Sequence, residues 1–166
     1  MPAQEAIEVV VSILREAHAH ELAAWAAADL PAPGLGDALI ERGFQFLDET
    51  LPSDRGGRAA QLAKLDGVDV GLTGALAGLA DTGSLVLASG AGRARLAWLL
   101  PPIHVALLPV SRLYASLSDF LEGQPEAVAA SANVAVVTGP ARTGDIEQVL
   151  TRGAHGPGVV HIVLMS

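Results

Sequence analysis

Apolar runs of strand length recur along the second half of this chain, and several close on a turn that joins glycine to Ser, Thr or Arg before a helical pattern resumes. Residues 81–89 lead into Gly90-Ala-Gly-Arg93, and residues 134–137 lead into Thr138-Gly-Pro-Ala-Arg-Thr-Gly-Asp145. Parallel strands need a crossover to connect them, and crossover helices cover the faces of the sheet, so strands that alternate with helices imply a parallel arrangement. The pattern predicts an α/β fold: a mostly parallel sheet with helices on both faces.

The N-terminal stretch adds an amphipathic helix. Ile7, Val10, Val11 and Leu14 fall at helical spacing, and the alanines beyond them extend the expected helix over residues 4–28. Pro31, Pro33, Gly34 and Gly36 end it, and Asp37 is expected to cap a short helix that runs to Arg42 with Gly43 past its end. Strands are expected at 44–47, 68–72 and 81–89, a loop at 50–57, a helix at 58–65, a helical turn at 75–80 and a helix at 94–100 stopped by Pro101 and Pro102. Residues 104–109 read as a strand buried on both faces, followed by helices at 116–121 and 125–130. A buried strand at 133–138, a helix at 145–152 and a closing strand at 159–165 complete the pattern. With 166 residues, 51% of them hydrophobic and 17% charged, the chain suits one core. It is read as a single domain over 1–166, with 1–36 the N-terminal helix and linker and 37–166 the α/β core.

Charge and cysteine content remove several function classes. A net charge of −8, a single lysine at Lys64 and only one close arginine pair, Arg93 with Arg95, argue against nucleic acid as a partner. The chain has no cysteine, which removes disulfides, thiol nucleophiles, cysteine-ligated zinc and cysteine-ligated iron–sulfur clusters. Apolar residues 96–110 are interrupted by Pro101, Pro102 and His104 and are shorter than a bilayer span, so no membrane partner is expected. Glu5 and Glu8 stand where a secretory leader would carry basic residues, which leads to an expected cytoplasmic location.

The glycine turns supply the candidate ligand-binding residues. After the strand at 134–137, Gly139 is followed by Arg142 in the loop and by Thr143, whose hydroxyl can cap the next helix. Backbone N–H groups and a guanidinium in that setting suit an anion, whereas Asp145 and Glu147 already complement the helix dipole. The Gly-Lys-Ser/Thr ending of a P-loop is absent. Ser89, Gly90, Gly92 and Arg93, with Arg95 beyond them, place a Gly-x-Gly after a strand but lack the third glycine and the acid of a dinucleotide site. Thr82, Gly83 and Ser84 form a further turn. His18 and His20, two apart on the expected helix, point in different directions and make no ligand pair. His104 and His161 read as packed strand residues, and His155, in a turn, is the histidine to test. No metal site is expected. Without a Gly-x-Ser-x-Gly elbow or well-separated carboxylate environments, no catalytic residue is assigned.

In order along residues 70–164, Ala80-Asp-Thr-Gly-Ser-Leu-Val-Leu87, the Gly-Arg-Ala-Arg-Leu-Ala-Trp-Leu-Leu-Pro101 stretch with His104, Thr-Gly-Pro-Ala-Arg-Thr-Gly-Asp-Ile-Glu147 and Gly-Ala-His-Gly-Pro157 resemble the successive signatures of the LUD domain family, nearest its lactate utilization C group. The resemblance implies a NagB/RpiA/CoA-transferase-like fold and a part in a three-protein system that oxidises L-lactate to pyruvate. It implies iron–sulfur clusters on the partner proteins and no cofactor on this chain. Two departures from the family pattern are a shorter N-terminal portion and Leu76, which stands where members often carry a polar or acidic residue. The turns at Thr82 to Ser84, Ser89 to Arg95, Gly139 to Asp145 and His155 are expected to converge on one edge of the parallel sheet. There a small anionic ligand would meet Arg93, Arg95 or Arg142. The alternatives are a stand-alone enzyme or binding protein for a phosphorylated, CoA-linked or carboxylate ligand, and a domain with structural or regulatory work alone. A homo-oligomer is compatible with each.

Overall fold

The central apolar runs pair side by side. The computed structural model describes residues 1–48, 50–144, 150–152 and 156–166, and of 142–144 and 150–152 the backbone alone. Strands β1 (Glu21–Ala24), β2 (Gln45–Phe46), β3 (Val70–Gly74), β6 (Ile103–Pro109) and β11 (Val159–Met165) form one sheet in the order β11-β6-β3-β1-β2. Every pairing in it is parallel. The continuous apolar run of β6 lies inside that order, and its five inner residues are buried, as a strand covered on both faces requires.

Helix α1 (Ala3–Glu16) buries Ala6, Ile7, Val10, Val11 and Leu14 along one stripe and packs against β11 and against α2 (Leu35–Glu41). Leu14 is fully buried, so trimming it to alanine would cost about 2–5 kcal/mol. The helix is much shorter than its alanine-rich sequence predicts. His18 takes a left-handed conformation with φ 53°, its N–H donates to the Arg15 carbonyl, and the Ala19 N–H donates back to Leu14. This is a Schellman ending with a histidine in the position usually held by glycine, and buried Ala19 and Leu14 supply its apolar contact. Asp69 then accepts from the His20 and Glu21 N–H groups, at 2.7 and 3.1 Å, and turns the chain into β1. His20 therefore precedes a strand and is not helical. Downstream, Gly34 takes the N-cap of α2 at φ 78°, and Asp37 sits in the first turn instead of capping it.

A second sheet was not foreseen. Strands β4 (Ala77–Leu79), β5 (Ser84–Ser89), β7 (Leu113–Tyr114) and β8 (Asn133–Val137) lie in the order β7-β4-β5-β8, antiparallel except where β7 meets β4. Residues 77–79 are thus strand where a helical turn was expected. The run at 133–137 is a half-exposed edge strand, not a buried one. The helix expected over 94–100 reduces to one 3₁₀ turn at Arg95–Trp98, which packs on β3 and β1. Helices α3 (Arg55–Asp66), α4 (Leu117–Gly123) and α5 (Pro125–Ala129) complete the set, with Asp54 and Ser116 as side-chain caps of α3 and α4. Backbone segments β9 (Arg142–Gly144) and β10 (Leu150–Arg152) pair antiparallel, so the end of the expected 145–152 helix is strand; 145–149 lie outside the described residues. The main core fills the space between the parallel sheet and its helices, and a smaller one joins Ala77, Leu79, Val86 and Phe120 under the second sheet. Among the described residues, no helix is long and apolar enough to cross a membrane.

Candidate functional site

In an open parallel sheet the loops at the carboxyl ends of the strands converge where the fold leaves a crevice. Here the chain leaves β1 at 25–29, β3 at 75–76 and β6 at 110–112, and a pocket of about 350 Å³ opens among these exits, α4 and α5. Its wall carries Asp29, Arg93, Ser111, Arg112, Tyr114 and Gln124, with Leu76 and Phe120 as apolar panels. Arg112, three residues past the end of β6, donates from Nη1 to the Ala75 carbonyl at 2.8 Å, which locks one β-strand exit to another and fixes the guanidinium at the rim. Tyr114 and Phe120 meet edge to face, with ring centroids 5.5 Å apart at 77°.

The turn that delivers Arg93 is fastened on both sides. Gly90 and Arg93 exchange backbone hydrogen bonds at 3.2 and 3.0 Å, and the Gly92 carbonyl accepts from Ala26 just past β1. Gly92 has φ 71°, a left-handed conformation that favours glycine, and a Cβ there would also displace the Asp29 carboxylate. The result sets Arg93 Nε 3.6 Å from Asp29 Oδ1, close enough for ion pairing and too long for a hydrogen bond. Among the described residues Arg93 Nε has no hydrogen-bond partner. Both side chains are about one-quarter to one-third exposed, so solvent screens the attraction and Arg93 stays available to a second anion.

The described parts of the four glycine turns fall into two groups instead of one cleft. Ser89, Gly90, Gly92 and Arg93 lie at the carboxyl edge, and Arg95 is exposed at the start of its 3₁₀ turn, off the arginine pocket. Thr82, Gly83 and Ser84 sit at the other end of β5, about 17 Å away at the usual rise per residue. There Ser84 and Thr138 share a hydrogen bond of 2.7 Å, as do Thr82 and Ser84, and Thr82 donates to Asp81 at 3.2 Å. Each hydroxyl has one proton, so the chain of donors runs from Thr138 through Ser84 and Thr82 to the Asp81 carboxylate and staples the β4–β5 hairpin to β8. Gly139, at φ 77°, and Gly156 line a separate cavity of about 210 Å³ with Trp98, His104, Val137 and Val160. Arg142 and Thr143 belong to β9, of which only the backbone is described, and Asp145 and His155 lie outside the described residues.

That second cavity adjoins the amino-terminal half of β6, where His104 is fully buried and shares a 2.8 Å hydrogen bond between its Nε2 and Thr73 Oγ1. Burial pushes the imidazole down to about 4, so it is neutral at physiological pH. Its Nδ1 and the Trp98 Nε1 have no hydrogen-bond partner among the described residues. His104 is a packed strand residue, as its sequence setting implies. Among the described residues no group of three or more His, Asp or Glu side chains is placed to hold a metal ion. Sequence inspection missed Arg112 and Asp29, because neither sits in a glycine turn; the usable sign for Arg112 was its position just after a strand buried on both faces.

These features define an α/β domain with an arginine-lined pocket beyond the carboxyl ends of a parallel sheet. Residues 2–165 match the LUD domain, and the chain belongs to that family. It is 30% identical over 155 residues to lactate utilization protein C of Halalkalibacterium halodurans, covering 90% of this chain and 64% of that protein. Over 91 residues it is 37% identical to an uncharacterized protein of Neisseria meningitidis, covering 54% of this chain and 39% of the relative. Lactate utilization protein C of Deinococcus radiodurans is 27% identical over 105 residues, 63% of this chain and 50% of its own length. The chain thus spans less than two thirds of each of these relatives. A crystal structure of a DUF162 family protein from Deinococcus radiodurans aligns with a TM-score of 0.48 at 19% identity, covering 100% of this chain and 99% of that one.

Proposed function

We propose that this chain is an accessory component of a system that oxidises L-lactate to pyruvate, working in the cytoplasm beside iron–sulfur proteins. The observation that carries the proposal is the family match over residues 2–165 together with a relative named lactate utilization protein C that aligns over 90% of the chain. Oxidising a 2-hydroxy acid to a 2-oxo acid removes two electrons and two protons. A chain without cysteine holds no thiolate-ligated cluster of its own, so the electrons would pass to partner proteins. The part played by this chain would be docking and the holding of a small anion at Arg93, with no cofactor bound to it.

Anaerobic pull-down of the tagged chain from its native host tests this role. Recovery of iron–sulfur proteins, with lactate-dependent bleaching of their clusters in the recovered complex, is the expected result; recovery of the chain alone under those conditions would refute a subunit role. A second reading, a stand-alone protein for a phosphorylated, CoA-linked or carboxylate ligand, draws on the arginine-lined pocket itself. It expects saturable binding by the isolated chain without any partner.

A further inference from the structure

We infer that Arg112 and Arg93 together form a two-guanidinium site for an organic anion larger than a three-carbon acid, a polyhydroxylated carboxylate or phosphate ester. The inference deepens the anion-holding part of the proposed role and rests on it. It does not depend on the iron–sulfur partners.

Charge is the first argument. Arg93 and Arg112 face one pocket with Asp29 as the opposing carboxylate, so the pocket keeps an excess of positive charge on a chain whose net charge is −8. On an acidic chain a concavity with a net positive lining focuses anions toward it. Asp29 holds Arg93 through a long, partly exposed contact of 3.6 Å, which an incoming carboxylate or phosphate with shorter, charge-assisted hydrogen bonds can outcompete. Arg112 spends Nη1 on the Ala75 carbonyl and keeps the other edge of its fork for a ligand.

Size is the second argument. The pocket of about 350 Å³ lies within the range of small-molecule sites. It equals the liquid volume of about a dozen waters, and lactate, with about six non-hydrogen atoms, would displace only about a third of them. The remaining wall offers the Ser111 and Tyr114 hydroxyls and the Gln124 amide, which suit ligand hydroxyls, while Leu76 and Phe120 supply only shape.

Calorimetry on the isolated full chain tests the site with L-lactate, inorganic phosphate, D-gluconate and D-glucitol 6-phosphate. Single-site, saturable binding of gluconate or of the phosphate ester is expected, at least tenfold tighter than lactate or phosphate; which of the two binds tells a carboxylate site from a phosphate site. Arg112→Ala and Arg93→Gln should each weaken that binding at least tenfold, the usual loss for a charge-assisted hydrogen bond, while Arg58→Gln on exposed α3 leaves it unchanged. If thermal unfolding shows Arg112→Ala to be misfolded, Arg112→Lys keeps the charge, loses the fork and should still weaken binding. No saturable binding by any probe, equal affinity for lactate and the larger anions, or wild-type affinity in the folded Arg112 variants would each overturn the inference. Pull-down of the Arg112 variant separates the two proposals: retained partners with lost anion binding leave the subunit role standing.

Discussion

The two ends of the parallel sheet use similar sequence material to opposite effect. At the carboxyl end, the glycine turn at 90–92 brings Arg93 beside Asp29, and Arg112 arrives from β6, so charged groups meet at an open pocket. At the amino end, Gly139 and Gly156 border a mainly apolar cavity in which His104 is neutral and bonded to Thr73. A glycine turn after a strand therefore states how closely backbones approach. The chemistry depends on which side chains arrive from distant parts of the chain.

The largest expected effect comes from the residue that couples the two ends. Gly71 lies opposite His104 in the β3–β6 register, and a Cβ on it would run into the backbone carbonyl of Ala97 in the 3₁₀ turn that links Arg93 to Trp98. Backbone cannot swing aside as a side chain can, so Gly71→Ala should cost about 3 kcal/mol and disturb both pockets at once. Denaturant unfolding checks the first part. A loss under about 0.5 kcal/mol would mean that the turn is free to lift off the sheet and that the two ends are independent.

Next in size is a pH effect confined to the amino end. His104 has a pKa of about 4 in the folded chain against 6.5 for an unperturbed imidazole, so between these values the unfolded chain binds the extra proton. Stability should be intact above pH 6.5, fall as the pH drops below it and level off, for this group, near pH 4. At pH 5 the expected loss relative to pH 7.5 is about 2 kcal/mol. Unfolding curves at the two values test it, and His104→Gln should remove most of the difference. An unchanged slope in that variant would place the effect in another group.

The alternation of strand and helix was legible because it depends on local periodicity: β3, β5, β6 and β11, the helices α2 to α5 and the start of α1 fall close to where the sequence puts them. What failed depended on distant contacts. Glu21–Ala24 sits in an alanine-rich stretch that favours helix, yet pairing with β2 and β3 and the Asp69 carboxylate make it a strand. Period-two patterning also could not say that β4, β5 and β8 belong to a separate antiparallel sheet, since sheet membership is set by partners and not by the run itself. For the site, the sequence identified Arg93 and its glycines from local spacing, while Arg112 and Asp29 join them only through the fold.

Asp69 offers a smaller test at the amino end. Its carboxylate accepts two backbone N–H groups that otherwise lose their partner where the chain enters β1, so Asp69→Ala should cost about 1.5 kcal/mol and leave anion binding intact. Calorimetric binding and thermal unfolding of the same sample check both halves, and loss of binding would show that the two ends communicate through β1.

The smallest effect on stability belongs to Arg93, and that smallness is the informative part. Its contact with Asp29 is long, partly exposed and screened, so Arg93→Gln should change stability by no more than about 0.5 kcal/mol. A structural arginine at a turn this tightly fastened would cost more, because the loop between Gly90 and Ala94 would lose its tie to Asp29. A residue kept for a ligand costs little when the ligand is absent. Denaturant unfolding of Arg93→Gln without and with a saturating polyol acid therefore sharpens the contrast between the ends. The wild-type chain should gain stability on ligand addition and the variant should not. A large loss in the ligand-free variant would move Arg93 from the carboxyl-edge pocket to the scaffold and remove the distinction between the two ends.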